Sequence, residues 1–317
     1  MNVQNQTYCY HTKKSNLKGF ISIITNYLIL IFLGYVVAIL TVSETNYIYI
    51  GYPILLILLS SCYLGFENLI HEASHYNLFR DRKLNNVVDW LFGFGVFISI
   101  HEFRQKHVRH HLFLGNLEKD PEMRYFQQLE LNRYSNNIWK FICRPFSGYM
   151  TYHYLVNPFF LFWYSPHKQK QKVLYWSILL TLMLIGLKWV VVVLVYILPF
   201  FFMRPIMKYY GEVFKYAGQD FNNKGDNVHN YMSGLSNLLL YPFMSGYHAI
   251  HYRDSRIPWY RREVVYVHFF LQEKSITPPI LFYDAVLLLW TKPIIFKYAH
   301  EKDTQYKQIF PKKYLKE

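Results

Sequence analysis

Residues 101–111 read HEFRQKHVRHH, and within them His107, His110 and His111 form a His-x-x-His-His cluster. In a helix, side chains three and four residues apart share a face, so His107 is expected beside both His110 and His111. The adjacent pair diverges by about 100° of helix rotation, which lets one cluster serve two neighbouring metal ions. Imidazole is a strong ligand for iron, copper, nickel and zinc. The cluster therefore predicts a metal site to which the rest of the chain contributes.

Two further histidine pairs stand far from this cluster in the chain. HEASH at residues 71–75 spaces His71 and His75 by one helical turn, and HAIHY at 248–252 places His248 and His251 three residues apart. A single histidine here is as well explained as an interfacial side chain. Three clusters on one expected face of the protein indicate instead a shared metal centre. Zinc takes four ligands and does not change oxidation state, so many imidazoles favour a pair of redox metal ions.

The composition is that of a membrane protein. Hydrophobic residues make up 52% of the chain and charged residues only 17%, fractions that suit an integral membrane protein. The net charge of +14 accompanies apolar runs, which favours cytoplasmic loops and lipid headgroups over nucleic acid. The three cysteines form neither a disulfide framework nor a zinc-ribbon pattern.

Apolar runs predict four transmembrane helices in two hairpins. The first hairpin comprises 20–42 and 47–66; the second, turning near Gly186, comprises 173–187 and 188–203. Basic flanks on the same side of each hairpin predict that both termini and all histidine clusters are cytoplasmic. The expected fold is a single all-α membrane-embedded domain over 1–317, in which a cytoplasmic helical cap, 67–172 and 204–317, carries the histidines.

Three shorter apolar segments do not fit as spans. Segments 87–100 and 154–164 are too short to cross a bilayer and are expected to be interfacial or re-entrant. Segment 276–290 contains Pro278, Pro279 and Asp284, and is expected to be buried or interfacial.

The motifs resemble, in order and spacing, the three histidine boxes of membrane fatty acid desaturases and related hydroxylases. They are HEASHYNLFRDRKLN, then KHVRHHLFLGNLEKDPE, then GYHAIHYRDSRIPWYR. The resemblance covers about residues 20 to 265. It implies two non-haem iron ions at the cytoplasmic membrane face, activation of O2, and removal of hydrogen from an unactivated C–H bond. The metal ligands it implies are His71, His75, His107, His110, His111, His248 and His251.

The third box departs from the family pattern. Tyr252 stands where the family usually has a last histidine, and it could bind as phenolate, line the pocket or leave a position open to water. His229 is a candidate for the missing imidazole, and Glu212 for a further ligand. Asp120 is expected to accept the free N–H of a ligating imidazole, which fixes its tautomer. His101 is expected to be structural, since it lies on the opposite side of the helix from His107.

The leading prediction is O2-dependent desaturation of a fatty acyl chain, with C–H hydroxylation or ketolation of an apolar substrate as the alternative. A divalent-metal transporter is disfavoured because the predicted spans hold almost no ionisable ligands. An inactive homologue stays open because of Tyr252. The chain has no haem, dinucleotide or ferredoxin motif. Electrons are therefore expected from a separate ferredoxin or cytochrome b5-type partner, which docks on the basic surface.

Overall fold

Two long helices begin the fold and pack against each other. The computed structural model describes residues 11–43, 46–123, 138–186, 188–221, 229, 234–273 and 280–292. Helix α1 spans Asn16–Val42 and α2 spans Tyr47–Ser74. The Ser15 hydroxyl caps α1 by accepting the Lys18 N–H at 3.3 Å. The described part of the chain contains no β-strand.

A third long helix, α7, spans Trp189–Lys215 and lies beside α2. Its middle, Val193–Met203, is π-helical around Pro199, which cannot donate a backbone hydrogen bond. Hydroxyls of α2 bind the carbonyls of this segment: Tyr52 donates to Leu194, Tyr63 to Val195 and Ser60 to Pro199, at 2.9–3.0 Å. These bonds satisfy polar backbone that lipid could not.

The three helices α1, α2 and α7 are long and apolar enough to cross a membrane. Many large apolar side chains of α1 are exposed, as expected for contact with lipid. Helix α6 spans Gln169–Gly186 and covers most of the predicted third span, but its apolar part begins only at Val173 and is roughly 21 Å long. The described residues thus provide a multi-pass helical protein with three candidate spans. The fourth span stays a prediction.

The helices continue past the predicted ends of the spans. Helix α2 runs on from 66 to Ser74, and α7 runs on from 203 to Lys215. The extra turns are polar and docked against protein. For example, Arg204 and Lys208 of α7 both pair with Glu67 of α2, the Lys208 Nζ at 2.6 Å. Apolar length therefore predicted where the lipid-facing parts lie, but not where the helices end.

Helix α3, which carries the central cluster, spans Ile100–Leu112. The segment before it, 87–100, is broken into a π-helical turn, Asp89–Gly93, and a 3-10 turn, Phe94–Val96. Buried Asp89 accepts the Ile100 N–H at 2.6 Å and pairs with Lys168 at 2.7 Å. This carboxylate fixes the start of α3.

The remaining elements are short. The helices are α4 (Ile138–Cys143), α5 (Asn157–Tyr164), α8 (Gly234–Leu240), α9 (His248–Arg253), α10 (Trp259–Glu273) and α11 (Phe282–Thr291). The turns are Leu84–Asn86, Arg144–Ser147, Tyr149–Thr151 and Tyr152–Val156. Segment 154–164 therefore falls in a π turn and α5, and 280–290 mostly in α11. Residues 276–279, and parts of the predicted cap, lie outside the described residues.

Candidate metal centre

Five histidines from three helices converge at one point. Their ligand nitrogens all lie within 4.8 Å of one another. Nε2 of His107 is 2.9 Å from Nε2 of His75 and 3.0 Å from that of His111. Nε2 of His111 is in turn 3.1 Å from Nε2 of His251. We call this group the five-imidazole cluster: His71, His75, His107, His111 and His251.

Helical spacing explains why the cluster histidines of α2 and α3 occur in pairs, and Arg104 holds the ends of the two helices together. His71 and His75 close α2, and His107 and His111 close α3, each pair four residues apart. Arg104 of α3 is buried and donates to the Ser74 and Ala73 carbonyls, both at 3.0 Å. Carbonyls at a helix end lack partners within the helix, so this guanidinium joins the end of α2 to α3.

The hydrogen bonding of the cluster fits a bound cation. His107 donates from Nδ1 to Glu122 at 3.4 Å, so its Nε2 carries a lone pair that two imidazole nitrogens approach at once. His71 donates from Nδ1 to Glu72 at 3.3 Å, and its Nε2 is buried with no hydrogen-bond partner among the described residues. Inward-facing lone pairs of this kind are what a metal ion requires.

Burial keeps the cluster neutral and able to bind metal. It lowers the pKa of His75, His111 and His251 well below the ordinary value, and repulsion from neighbouring imidazolium and guanidinium groups lowers it further. Neutral imidazole is the form that ligates. Five such groups suit iron better than zinc, which is satisfied by four ligands.

Behind the cluster, Glu72 of α2 binds α10. Its carboxylate accepts from His71, from the Trp259 N–H at 3.0 Å and from Arg262. Arg262 also lies 3.1 Å from His251 Nδ1. Glu72 and Arg262 are both buried, so this pair fixes the start of α10 and the ring of His251 against α2.

His110 points away from the cluster into a second pocket. Its Nδ1 donates to Asp120, whose two oxygens are each 2.9 Å away. Its Nε2 faces the hydroxyl of Tyr252, the hydroxyl of Tyr216 at 3.3 Å and Oε2 of Glu122 at 3.2 Å. Burial lowers the pKa of His110, but attraction by Asp120 and Glu122 outweighs it and raises the pKa to about 9.

Charge in this second pocket is balanced between His110 and the carboxylates. Burial raises the pKa of Glu122, but attraction by His110 and the hydrogen bond from His107 outweigh it and hold the pKa below its ordinary value. Burial also raises the pKa of Tyr252 well above the ordinary value, so its phenol is protonated without a metal.

Gly115 shapes the loop that presents Asp120. It has a φ of +80°, and a Cβ at this position would lie 2.5 Å from the Phe221 ring. Its N–H donates to Asp120 at 3.2 Å, and the Glu122 and Met123 N–H groups donate at 2.9 and 3.2 Å. The carboxylate is thereby held in one orientation toward His110.

The predicted site residues fall into three groups. Five of the predicted ligands form the cluster; two stand beside it. His110 has its ring centroid 5.8 Å from those of His107 and His111, and His248 lies 5.1 Å from the Tyr252 ring. His229 is not part of the cluster; its Nε2 instead lies 2.7 Å from the Ala217 carbonyl and donates to it.

The structure also shows the surroundings of the other residues named from the sequence. Asp120 contacts His110, as expected of a carboxylate that orients a ligand. Glu212 pairs with Lys215 at 2.9 Å. His101 stacks on His167 at 4.3 Å, apart from the cluster. Sequence reasoning missed Arg104, Arg262 and Tyr216. It singled out Asp120 and not Glu72 or Glu122, although both of these stand beside a histidine box.

Comparison with known proteins bears on the same residues. A family model described as fatty acid desaturase matches residues 44–271, which include all three histidine motifs and most of the chain. Dihydrorhizobitoxine desaturase of Bradyrhizobium elkanii is 31% identical over 112 residues. That alignment covers 33% of this chain and 31% of the relative, so the chain matches about a third of the relative's length. The family resemblance of the motifs is confirmed.

Proposed function

We propose, since the chain belongs to the fatty acid desaturase family, that it is a membrane di-iron oxidoreductase that desaturates a fatty acyl chain with O2. One observation carries the proposal. Histidines from three distant parts of the chain converge, four of the five buried and His71 partly buried, with their ligand nitrogens within 4.8 Å. The desaturase named among its relatives favours desaturation over hydroxylation.

The five-imidazole cluster would hold one iron ion, and His110 with His248 would contribute to a second. Bound iron would supply the activation of O2 and the removal of hydrogen from an unactivated C–H bond. The protein's own part is to position and to exclude water. Glu72, Glu122 and Asp120 orient His71, His107 and His110 through their Nδ1 atoms. Four of the five cluster histidines are buried and His71 is partly buried, which limits side reactions with solvent.

We propose further that the chain crosses the membrane four times. Helices α2 and α7 run parallel, because Tyr52 meets Leu194 and Glu67 meets Arg204. Both end at the metal centre: His71 lies in the last turn of α2, and Tyr216 follows α7. The chain must therefore return across the membrane between them, and α6 leads directly into α7. This topology puts the site and both termini on the cytoplasmic side.

Cysteine labelling tests the topology. In a cysteine-free variant, a membrane-impermeant maleimide added to intact cells should label Lys188→Cys, at the turn between α6 and α7. It should label Glu118→Cys, in the loop after α3, only after lysis. Labelling of both positions in intact cells, or of neither, would contradict a crossing by α6.

We propose that electrons come from a separate ferredoxin or cytochrome b5-type protein. This chain has a net charge of +14, so an acidic donor would be attracted to it. Charge attraction would speed their docking, so turnover with a given donor should fall as salt is raised. Turnover that is independent of salt would count against electrostatic docking.

Lipid profiling of a host that supplies both fatty acids and reductase tests the reaction. Wild type should yield acyl chains that have lost two hydrogens, and His111→Ala should yield none. His101→Ala is the matched control, because it removes the same side chain from the same helix outside the cluster. An oxygen gained in place of two hydrogens lost would establish hydroxylation instead. Product that persists in His111→Ala would refute the site.

A further inference from the structure

We propose that the second metal position is a mixed nitrogen–oxygen site, in which His110, Glu122 and the phenolate of Tyr252 bind the second iron ion. The inference rests on the proposed function and deepens it, because it makes the two metal positions chemically different. The first is built from imidazoles alone, and the second adds two anionic oxygen ligands.

The first step of the argument is the direction in which His110 points. Both oxygens of Asp120 lie 2.9 Å from His110 Nδ1 and accept its N–H, and the carboxylate also accepts three backbone N–H groups. The Nε2 atom is therefore the one presented to the pocket. A carboxylate behind a histidine in this way orients metal ligands and makes them more basic. His110 is thus prepared as a ligand although its nitrogens are outside the five-imidazole cluster.

The second step is the set of oxygens around that nitrogen. Oε2 of Glu122 lies 3.2 Å from His110 Nε2, and the Tyr252 hydroxyl contacts the same atom. The Nε2 lone pair of His110 and the Glu122 carboxylate repel each other unless a positive charge lies between them, and the phenol oxygen adds a third potential ligand atom at the same point. A proton can supply that charge in the metal-free protein. Iron, which accepts imidazole, carboxylate and phenolate together, would replace it.

Glu122 connects the two positions. Its Oε1 accepts from His107 at 3.4 Å, and its Oε2 faces His110. One carboxylate therefore orients a ligand of the first ion while it binds the second. The neighbours His251 and Tyr252 divide in the same way, since consecutive helical residues diverge by about 100°. His251 joins the cluster and Tyr252 faces His110.

Tyr252 is a better candidate than Tyr216, the other phenol of the pocket. Its hydroxyl makes the closer contact with His110 Nε2, whereas that of Tyr216 stands 3.3 Å from the same atom. The two hydroxyls are 3.4 Å apart, so Tyr216 can donate to a Tyr252 phenolate. The Tyr252 proton would leave to solvent as the ion binds, because a nearby cation favours the ionised phenol.

Iron content and visible absorption test the inference without an activity assay. The purified full-length protein is loaded with iron(II), oxidised in air and freed of excess metal. Wild type should hold about two irons per chain and show a phenolate-to-iron(III) charge-transfer band, with phenolate vibrations in resonance Raman. Tyr252→Phe should lose the band and hold about one iron per chain. Tyr216→Phe, the matched control, should keep both.

A second substitution guards against simple misfolding. Tyr252→His should abolish the band but retain about two irons, because imidazole replaces the phenolate. Wild type that holds iron without the band, or a band that survives in Tyr252→Phe, would overturn the inference and leave the proposed function intact. A band that is lost in Tyr216→Phe but kept in Tyr252→Phe would show that Tyr216 supplies the phenolate, and would also overturn the inference. Wild type that binds no iron would refute the proposed function itself.

Discussion

Replacing Asp120 by asparagine should weaken the second metal position and spare the first. The carboxylate contacts His110 Nδ1 with both oxygens and accepts three backbone N–H groups from the loop. Asparagine has one acceptor oxygen, and its amide N–H would face another donor. Loss of a carboxylate behind a ligating histidine typically costs 10–100-fold in metal affinity. That factor corresponds to about 1.4–2.7 kcal/mol.

The substitution should also destabilise the metal-free fold. Asp120 is fully buried, and hydrogen bonds to a charged group contribute about 1.5–3 kcal/mol to stability. Part of that contribution remains because asparagine keeps one oxygen. A loss near the lower end of the range is therefore expected in chemical denaturation of the detergent-solubilised protein.

Iron titration against a chelator of known affinity measures the first effect. Wild type should fill two positions, and Asp120→Asn should fill one normally and the other 10–100-fold more weakly. Glu118→Gln makes the same chemical change at an exposed position of the same loop and should behave as wild type. Unchanged affinity at both positions in Asp120→Asn would refute the role given to this carboxylate.

Three other outcomes follow from the structure. Arg104→Met removes the guanidinium bonds to the Ser74 and Ala73 carbonyls, of which Ala73 keeps the Tyr76 N–H, and should cost about 1–3 kcal/mol in denaturant unfolding, whereas Arg109→Met, on the exposed side of α3, should cost little. Gly115→Ala introduces a Cβ against Phe221 at a positive φ and should lower both thermal stability and iron content; a variant with wild-type iron content would contradict the loop argument. The metal-free protein should lose stability as pH falls through about 6.5, because the cluster histidines outside the candidate spans have lowered pKa values when folded and the unfolded chain then binds more protons. His110, whose pKa is raised to about 9, contributes in the opposite sense between about pH 9 and 6.5 and no longer changes below that range. A melting temperature that stays constant as pH falls below about 6.5 would contradict the reasoning.

Local spacing made much of the site predictable. Residues four apart share a helix face, so the pairs that end α2 and α3 could be read from the sequence. The nearby carboxylate Asp120 could be proposed because it follows the same box by a short loop. The desaturase resemblance supplied the order in which the three motifs meet.

Long-range partners could not be read in this way. Arg104 and Arg262 act on residues far from them in the chain, and no periodicity links them to the histidines. His229 had the right residue type, but its ring is bound to a backbone carbonyl. The helices run on past the spans predicted to end at 66 and 203, and the span pattern could not show this, because polar turns of a helix that dock on protein leave no apolar signal.

The convergence of helix ends has an electrostatic consequence. Helices α2, α3 and α7 all finish at the metal centre, so their macrodipoles direct partial negative charge at one place. Each end favours a nearby cation by about 0.3–1 kcal/mol when exposed, and by more when partly buried. The backbone therefore attracts positive ions to this point before any side chain binds one. An anion that approached the same point would meet that field as a barrier.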